Sequence, residues 1–482
     1  MAIKTSQEFR EDLKRLNPSV YMLGEKVENV WDHPAFQSTL NLLGTLHDFS
    51  FDEEFKARSV VHSPLVNEPV RRLNLHIQTT AEDSIEKCRL TREVTQRRIC
   101  TWCGSNILCL VWAATYEADR THGGEYHQRF VEFARHLMRN DSNILLGMMD
   151  PKGDRTLPPS RQKNVTGVKV VRRDAKGIVV RGAKVHTSYG CCAQELLVLP
   201  CRALGEDDRD YAVSFAVPSD TPGVHFVCRP APGRNRAEDE MECPIGSAIG
   251  AVEGMTVFED VFVPWDRVFL CGEWDMAARF PYFFGNIQRQ SKCSCLAGHT
   301  DLVCGVAALA AEVNGLGMKV THIRDKITRL MVEAEAAHGC ALGAAVEGGL
   351  HESGVWVPST LTANAGLNYI KSLAGEHIQL LHDIAGGLIV TMPTEADYKN
   401  PTIKAWMDEF LCGSSRYTTQ ERLRALHLAR EIAATNFTGY FMGWAVNASG
   451  SPMAAEVMVR SEYDLKKRMD IARNWAGFGT EK

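Results

Sequence analysis

The stretch Val168-Lys-Val-Val-Arg-Arg173, Asp174-Ala-Lys-Gly177, Ile178-Val-Val-Arg-Gly-Ala-Lys-Val185 decides the fold class. Two runs rich in β-branched residues flank a cluster of turn formers, and strand, turn, strand is the economical reading. Leu196-Leu-Val-Leu-Pro200, Tyr211-Ala-Val-Ser-Phe-Ala-Val217 and Met255-Thr-Val-Phe-Glu-Asp-Val-Phe-Val-Pro264 repeat the pattern, each bounded by Pro, Gly or Asp. Outside this zone the period changes. Val94 to Tyr116 carries apolar residues at helical spacing without proline, and His127-Gln-Arg-Phe-Val-Glu-Phe-Ala-Arg-His-Leu-Met138 is amphipathic at the helical period. Gly305-Val-Ala-Ala-Leu-Ala-Ala-Glu312 and the long pattern from Thr419 to Asn436 read as helices too. The expected organisation is an α+β chain: an N-terminal helical domain (1–145), a central β domain (146–272) and a C-terminal helical domain (273–482).

Composition narrows the function classes. The chain has 482 residues, 45% hydrophobic, with a net charge of −5, which suits a large core and gives no electrostatic reason to expect nucleic acid or an anionic membrane as partner. Ala2-Ile3-Lys4-Thr5-Ser6-Gln7-Glu8 has no apolar segment of the secretory type, and no run of about 18 uncharged apolar residues predicts a membrane span. The 15 cysteines are then expected as reduced thiols in a cytoplasmic protein. Neither common nucleotide-binding glycine loop, GxGxxG after a strand or GxxxxGK[ST], is present. A β domain between two helical domains nevertheless makes a cleft where both meet, the kind of place where a large cofactor binds, with a small-molecule substrate as the expected partner.

Four stretches carry a resemblance. Pro18-Ser-Val-Tyr-Met-Leu-Gly-Glu-Lys-Val-Glu-Asn-Val-Trp-Asp-His-Pro34, Asp150-Pro-Lys-Gly-Asp-Arg155, Asp260-Val-Phe-Val-Pro-Trp-Asp-Arg-Val-Phe-Leu-Cys271 and Asp383-Ile-Ala-Gly-Gly-Leu-Ile-Val-Thr-Met-Pro-Thr-Glu-Ala-Asp397 occur in family order. Together they resemble the 4-hydroxyphenylacetate 3-hydroxylase/4-hydroxybutyryl-CoA dehydratase family, closer to the dehydratase branch. The resemblance implies an acyl-CoA-dehydrogenase-like fold, a homotetramer and FAD in the cleft. It places the flavin against Leu146, Gly147, Met148 and Met149, against Lys152, Gly153, Asp154 and Arg155, and against Ser188. Ala448, Ser449, Gly450 and Ser451 complete that set. Small residues at 449–451 suit a pyrophosphate, and Lys152 and Arg155 offset its charge.

The reacting centre departs from both branches. Counted without gaps, the dehydratase's cluster ligands fall on Arg98, Trp102, Gln288 and Cys295, so only one cysteine survives. Arg98 and Trp102 would share one helix face. No metal is therefore expected, although Cys100, Cys103, Cys295 and His299 form an alternative displaced set for zinc or iron–sulfur. One dehydratase glutamate matches Glu253; the second falls on Trp444 and a tyrosine on Lys292. The hydroxylase branch's Arg and Tyr align near Cys103 and Ile107, and its histidine falls on Leu146. The candidate catalytic set is Glu253, Arg98 facing Gln288, His186 and Lys292, with Tyr189 nearby. Glu253 has a bland alternative as a structural partner, for example of Arg289. Trp102 and Trp444 would make the pocket aromatic.

Three functions remain in view. The first is a flavin-only monooxygenase or dehydrogenase acting on a planar, aromatic or activated acyl substrate, with a separate flavin reductase as candidate partner. The second is a redox-neutral lyase or isomerase on a CoA thioester. The third is a non-catalytic flavin-binding paralogue.

Overall fold

The computed structural model describes residues 3–99, 104–231 and 241–477. The hairpin expected from residues 168–185 is present: strand Lys169–Asp174 pairs antiparallel with strand Gly177–Val185. The Asp174 carboxylate closes the turn by accepting from the backbone N–H groups of Lys176 (2.8 Å) and Gly177 (3.2 Å). Gly177 is required for close approach, because a β-carbon there would lie 2.1 Å from the Val263 carbonyl oxygen of the next strand. That strand, Glu253–Pro264, in turn pairs with Val224–Arg229, giving a six-stranded sheet.

A second sheet of four strands runs Val268–Cys271, Val213–Pro218, Glu195–Val198, Ile144–Gly147. Its central strands are buried on both faces, which explains their nearly unbroken apolar runs. Alternation divides the work. Leu196 and Val198 point into a core shared with Ile178, Phe226 and Phe258 of the larger sheet, while Leu197 and Leu199 point into a core with the helices Gly104–His122 and Tyr126–Asn140. The small sheet is thus the layer that fastens the β domain to the N-terminal helices. On the other side, the long helices Arg289–Val313, Thr321–Val346 and Thr360–Ala385 pack on one another and on Ala81–Arg98.

Three sequence expectations change. The N-terminal region is not purely helical: Ser19–Met22 joins the large sheet parallel to Val224–Arg229, a pairing made 200 residues away that four residues cannot announce locally. The helix expected across Val94–Tyr116 is broken. Ala81–Arg98 stops where Ile99 adopts φ +64°, and the next helix begins at Gly104. Cys100, Trp102 and Cys103 lie outside the described residues. The Thr419–Asn436 pattern also divides, at Ala433, because the Thr435 hydroxyl caps a new helix, Asn436–Val446, by accepting from the Phe437 N–H. The segment Trp274–Val313 is apolar and long enough by composition to cross a membrane, but 72% of its most apolar window is buried inside the protein, as in a core helix.

Gly177→Ala should destabilise the protein by about 1–3 kcal/mol through forced displacement of the strand partner. Chemical denaturation of the two forms checks this, and an unchanged midpoint would show that the hairpin does not constrain the sheet.

Candidate active site

Glu253 opens the strand Glu253–Pro264, beside Gly254. A β-carbon at 254 would stand 2.3 Å from the Val227 carbonyl oxygen, so the strand pair closes only on glycine at this point. Opposite it runs the segment His186–Gly190, with positive φ at His186, Tyr189 and Gly190. The N–H groups of Thr187 and Tyr189 donate to the carbonyls of Gly254 (3.1 Å) and Val252 (2.7 Å), which holds this unfavourable backbone in place. The result aims Ser188 at Glu253, and its hydroxyl donates to one carboxylate oxygen at 2.8 Å. The indole N–H of Trp444, on the helix Asn436–Val446, donates to the other oxygen at 3.1 Å. Burial pushes the Glu253 carboxyl above the usual carboxylate range, against a smaller downward pull from Trp444 and Ser188. A carboxyl shifted in this direction is a candidate for proton transfer.

The C-terminal half supplies the opposite wall. Phe284–Gln288 form a π-helical turn leading into the helix Arg289–Val313, a distortion that occurs often at functional sites. It sets Gln288 between the Asn106 amide, which donates to it at 2.8 Å, and the Ser449 hydroxyl at 3.5 Å. The Asn106 carbonyl oxygen accepts from Lys87 (3.0 Å) and Ser291 (3.2 Å). Arg289 donates to the Ser449 carbonyl (3.0 Å), the Ala454 carbonyl (3.0 Å) and Asn364 (2.6 Å). Lys371 donates to the carbonyls of Ala448 (2.8 Å) and Gly450 (2.6 Å). Two cations therefore fix the left-handed turn at Ser449 and Gly450. Lys292 extends from the same helix, its ammonium 6.0 Å from the Trp444 ring centroid and 3.6 Å from the Cys295 sulfur.

Charge is unbalanced here. Arg289, Lys292 and Lys371 are 6%, 6% and 3% exposed, and none forms an ion pair with a carboxylate among the described residues. Burial alone lowers the Arg289 pKa to about 10. Burial, then the charges of Lys292 and Arg289, brings Lys371 down to about 7.

The candidate cofactor segments differ in setting. Leu146 and Gly147 end the strand Ile144–Gly147. The Met148 carbonyl accepts from Lys184 at 3.0 Å, and the Met149 carbonyl from the Val185 N–H at 2.8 Å. Lys152, Gly153, Asp154 and Arg155 form an exposed turn, closed by Gln162, which accepts from the Asp154 N–H at 2.9 Å. Lys152 and Arg155 make no ion pair among the described residues, so both heads are available to an anion. The Ala448–Ser451 segment meets the candidate catalytic residues directly, through Gln288, Arg289 and Lys371.

Several expectations need correction. Arg98 does not face Gln288: the helix ends there, and its guanidinium packs 5.9 Å from the Phe49 ring centroid. Trp102, the other member of that expected face, lies outside the described residues. His186 is exposed, without a hydrogen bond among the described residues. Arg289 pairs with carbonyls and Asn364, not with Glu253. His299 is buried with its Nε2 2.5 Å from the Ile99 carbonyl, and burial, then the Lys292 charge, lowers its pKa to about 3. It thereby anchors the left-handed residue that breaks the helix. Among the described residues no group of three or more His, Cys, Asp or Glu is arranged to hold a metal ion. The donor set of an iron–sulfur cluster does not fit what is described: Gln288 is committed to amide and hydroxyl partners, and Cys295 stands beside an ammonium. Lys371, Asn364 and Asn106 were not singled out from sequence. Asn364 and Lys371 lie seven apart on the inward face of the apolar helix Thr360–Ala385, and that polar pair at helical spacing was the available signal.

Residues 5–270 match the family described as 4-hydroxyphenylacetate 3-hydroxylase N terminal, and residues 277–477 its C-terminal counterpart. The chain belongs to the 4-hydroxyphenylacetate 3-hydroxylase family. It is 33% identical, over 98% of its length and 99% of the relative's, to the 4-hydroxybutyryl-CoA dehydratase/vinylacetyl-CoA-Δ-isomerase of Clostridium aminobutyricum. A solved oxygen-tolerant archaeal 4-hydroxybutyryl-CoA dehydratase from N. maritimus superposes with a TM-score of 0.93 at 28% identity, covering 100% of this chain and 97% of that one. The oxygenase component of 4-hydroxyphenylacetate 3-monooxygenase, solved with FAD, gives a TM-score of 0.88 at 25% identity over 98% of each chain. Glutaryl-coenzyme A dehydrogenase, at 14% identity and a TM-score of 0.52, shares the fold alone, and the α+β architecture is acyl-CoA-dehydrogenase-like.

Trp444→Phe should raise the Glu253 carboxyl pKa further, because a hydrogen bond to the charged form is lost. The carboxyl stretch in infrared difference spectra, assigned with Glu253→Gln, reads the shift. A fall in pKa would show that the indole does not hold the carboxylate.

Proposed function

We propose that the protein is an FAD-dependent oxidoreductase, a flavin monooxygenase or dehydrogenase, acting on a planar, aromatic or activated acyl small molecule without a metal cluster. The observation that carries this reading is Glu253, a buried carboxyl of raised pKa held between Ser188 and Trp444, in a family with an FAD-bound oxygenase among its solved members. The residues present suit FAD: Lys152 and Arg155 are unpaired and exposed, and the 448–451 turn has small side chains and carbonyls drawn toward Lys371 and Arg289. Leu146–Met149, Lys152–Arg155, Ser188 and Ala448–Ser451 would hold it. FAD bound there supplies hydride acceptance or, once reduced, the activation of oxygen.

What this chain's residues do can be stated separately. Trp444 and Tyr189, with ring centroids 6.5 Å apart, form an aromatic wall that binds and orients a planar group and excludes water. Glu253 holds or accepts a proton at that wall. A second reading, a redox-neutral lyase or isomerase on a CoA thioester, is favoured by the 33% identity to the Clostridium enzyme along nearly the whole chain. Glu253 would serve it too, but by the resemblance Gln288 replaces a cluster ligand of that chemistry and Lys292 a tyrosine near the cluster. A non-catalytic paralogue has no use for a carboxyl kept buried and protonatable.

A separate flavin reductase is the proposed electron source, since the FAD-bound relative is an oxygenase component. The proposed setting is a cytoplasmic homotetramer. Exposed Met453, Val457, Leu465 and Trp475 near the C-terminus support association with further copies of the chain.

The purified protein with FAD, NADH and a flavin reductase should consume oxygen in a substrate-dependent way. Glu253→Gln should lower turnover by about two orders of magnitude, the usual weight of a general base, at unchanged FAD content and melting temperature. Full turnover in Glu253→Gln, or joint loss of flavin and stability, would overturn the role of Glu253.

A further inference from the structure

Lys292 is a buried cation without a carboxylate partner among the described residues. Its side chain is 6% exposed, and its polar contact among the described residues is the Cys295 sulfur at 3.6 Å, three residues along the same helix. A thiol is a weak acceptor, whereas an ammonium carries three donors. Leaving such a group dry and unanswered is costly, and proteins keep such groups where something binds. The neighbouring charges do not help, because Arg289 and Lys371 have the same sign. Both are satisfied by neutral partners: Asn364 and the carbonyls of Ser449 and Ala454 for Arg289, those of Ala448 and Gly450 for Lys371. These partners contribute no negative charge.

The nearby carboxyl does not answer Lys292 either. Glu253 forms no ion pair with it, being turned to Ser188 and to the indole N–H of Trp444, while the Lys292 ammonium lies 6.0 Å from the centroid of that indole. One aromatic side chain thus has the Glu253 carboxylate at its N–H edge and, near its ring, a cation with no carboxylate partner among the described residues.

We propose that Lys292 is the receptor for an ionised substrate oxygen, so that the site selects phenolates or enolates over their neutral counterparts. This rests on the flavoenzyme reading above and names the substrate chemistry it takes. The associated proton step balances within the protein. The substrate's O–H bond, or the C–H bond beside its carbonyl, breaks, and the proton passes to the Glu253 carboxylate. The bonding electrons stay with the substrate as oxyanion charge facing Lys292. The electron-rich anion is the form suited to reaction at a flavin, and no further reactant is needed to make it.

The probe is 4-nitrophenol, whose ionised form has its own visible band, added to the oxidised FAD holoenzyme. No turnover is involved, so the result is independent of whether the flavin oxygenates, dehydrogenates or does neither. The wild type should bind the phenolate at pH values below the phenol's solution pKa, and should bind 4-nitroanisole, which cannot ionise, at least about tenfold more weakly. Lys292→Met and Lys292→Gln should each lose about 10- to 100-fold in phenolate affinity, the range for a hydrogen bond to a charged group. FAD content should not change, and replacing a buried unpaired cation should not lower the melting temperature. The proposal is overturned if the wild type fails to bind the phenolate, if it binds nitroanisole equally, or if the soluble variants retain phenolate affinity. It is also overturned if the variants lose FAD or shift its reduction potential while phenolate affinity stays, which would assign Lys292 to the flavin instead.

Discussion

The site depends on how a protein interior accommodates positive charge without carboxylates. Arg289 and Lys371 are drawn inside by main-chain carbonyls of residues 448–454, and those bonds are what fasten the C-terminal turn to the start of the Arg289–Val313 helix. A buried cation is tolerated when it is hydrogen-bonded, and here the acceptors are dipoles that cannot neutralise it. Burial first, and then this positive interior, lowers the proton affinity of Lys371 and His299, and the interior favours an anion. Across Trp444, the Glu253 carboxyl is raised by burial. Acid and cation are kept apart by an indole, when a direct pair would have cancelled both.

The fold makes this separation possible. Glu253 is carried by a strand whose neighbours approach too closely for any residue but glycine at 254. Ser188 is aimed by a loop with three positive φ angles, stitched to that strand by backbone bonds. Lys292 comes from a helix that begins with a π turn, and Trp444 from a short helix capped by Thr435. Each group thus sits at the end of an element or next to an irregularity, where the backbone can depart from its regular direction.

Much of the architecture was legible because the β domain announces itself locally. The Asp174–Gly177 turn between β-branched runs reads as a hairpin, and the hairpin forms, with a register shift between Val170 and Arg172 that the alternation does not announce. What was not legible is what distant contacts impose. Nothing between Val94 and Tyr116 says that Ile99 will turn left-handed; His299, 200 residues on, holds that carbonyl. The same holds for Gln288, whose partner Asn106 is 182 residues away, and for Ser19–Met22 in the large sheet. Glu253 was found through resemblance, since a single Glu-Gly in a β-rich stretch carries no signal of its own. Lys292 was found the same way, but its lack of a charged partner became visible only in three dimensions.

The reading proposed for this chain is a flavin site with side-chain charge and no metal cluster. The most direct test is to quantify flavin, iron and acid-labile sulfide in protein purified without oxygen. The account predicts about one FAD per chain with iron well below one per chain. Finding about four irons per chain with matching sulfide would contradict it, because a four-iron cluster would then be present despite Gln288 and Lys292.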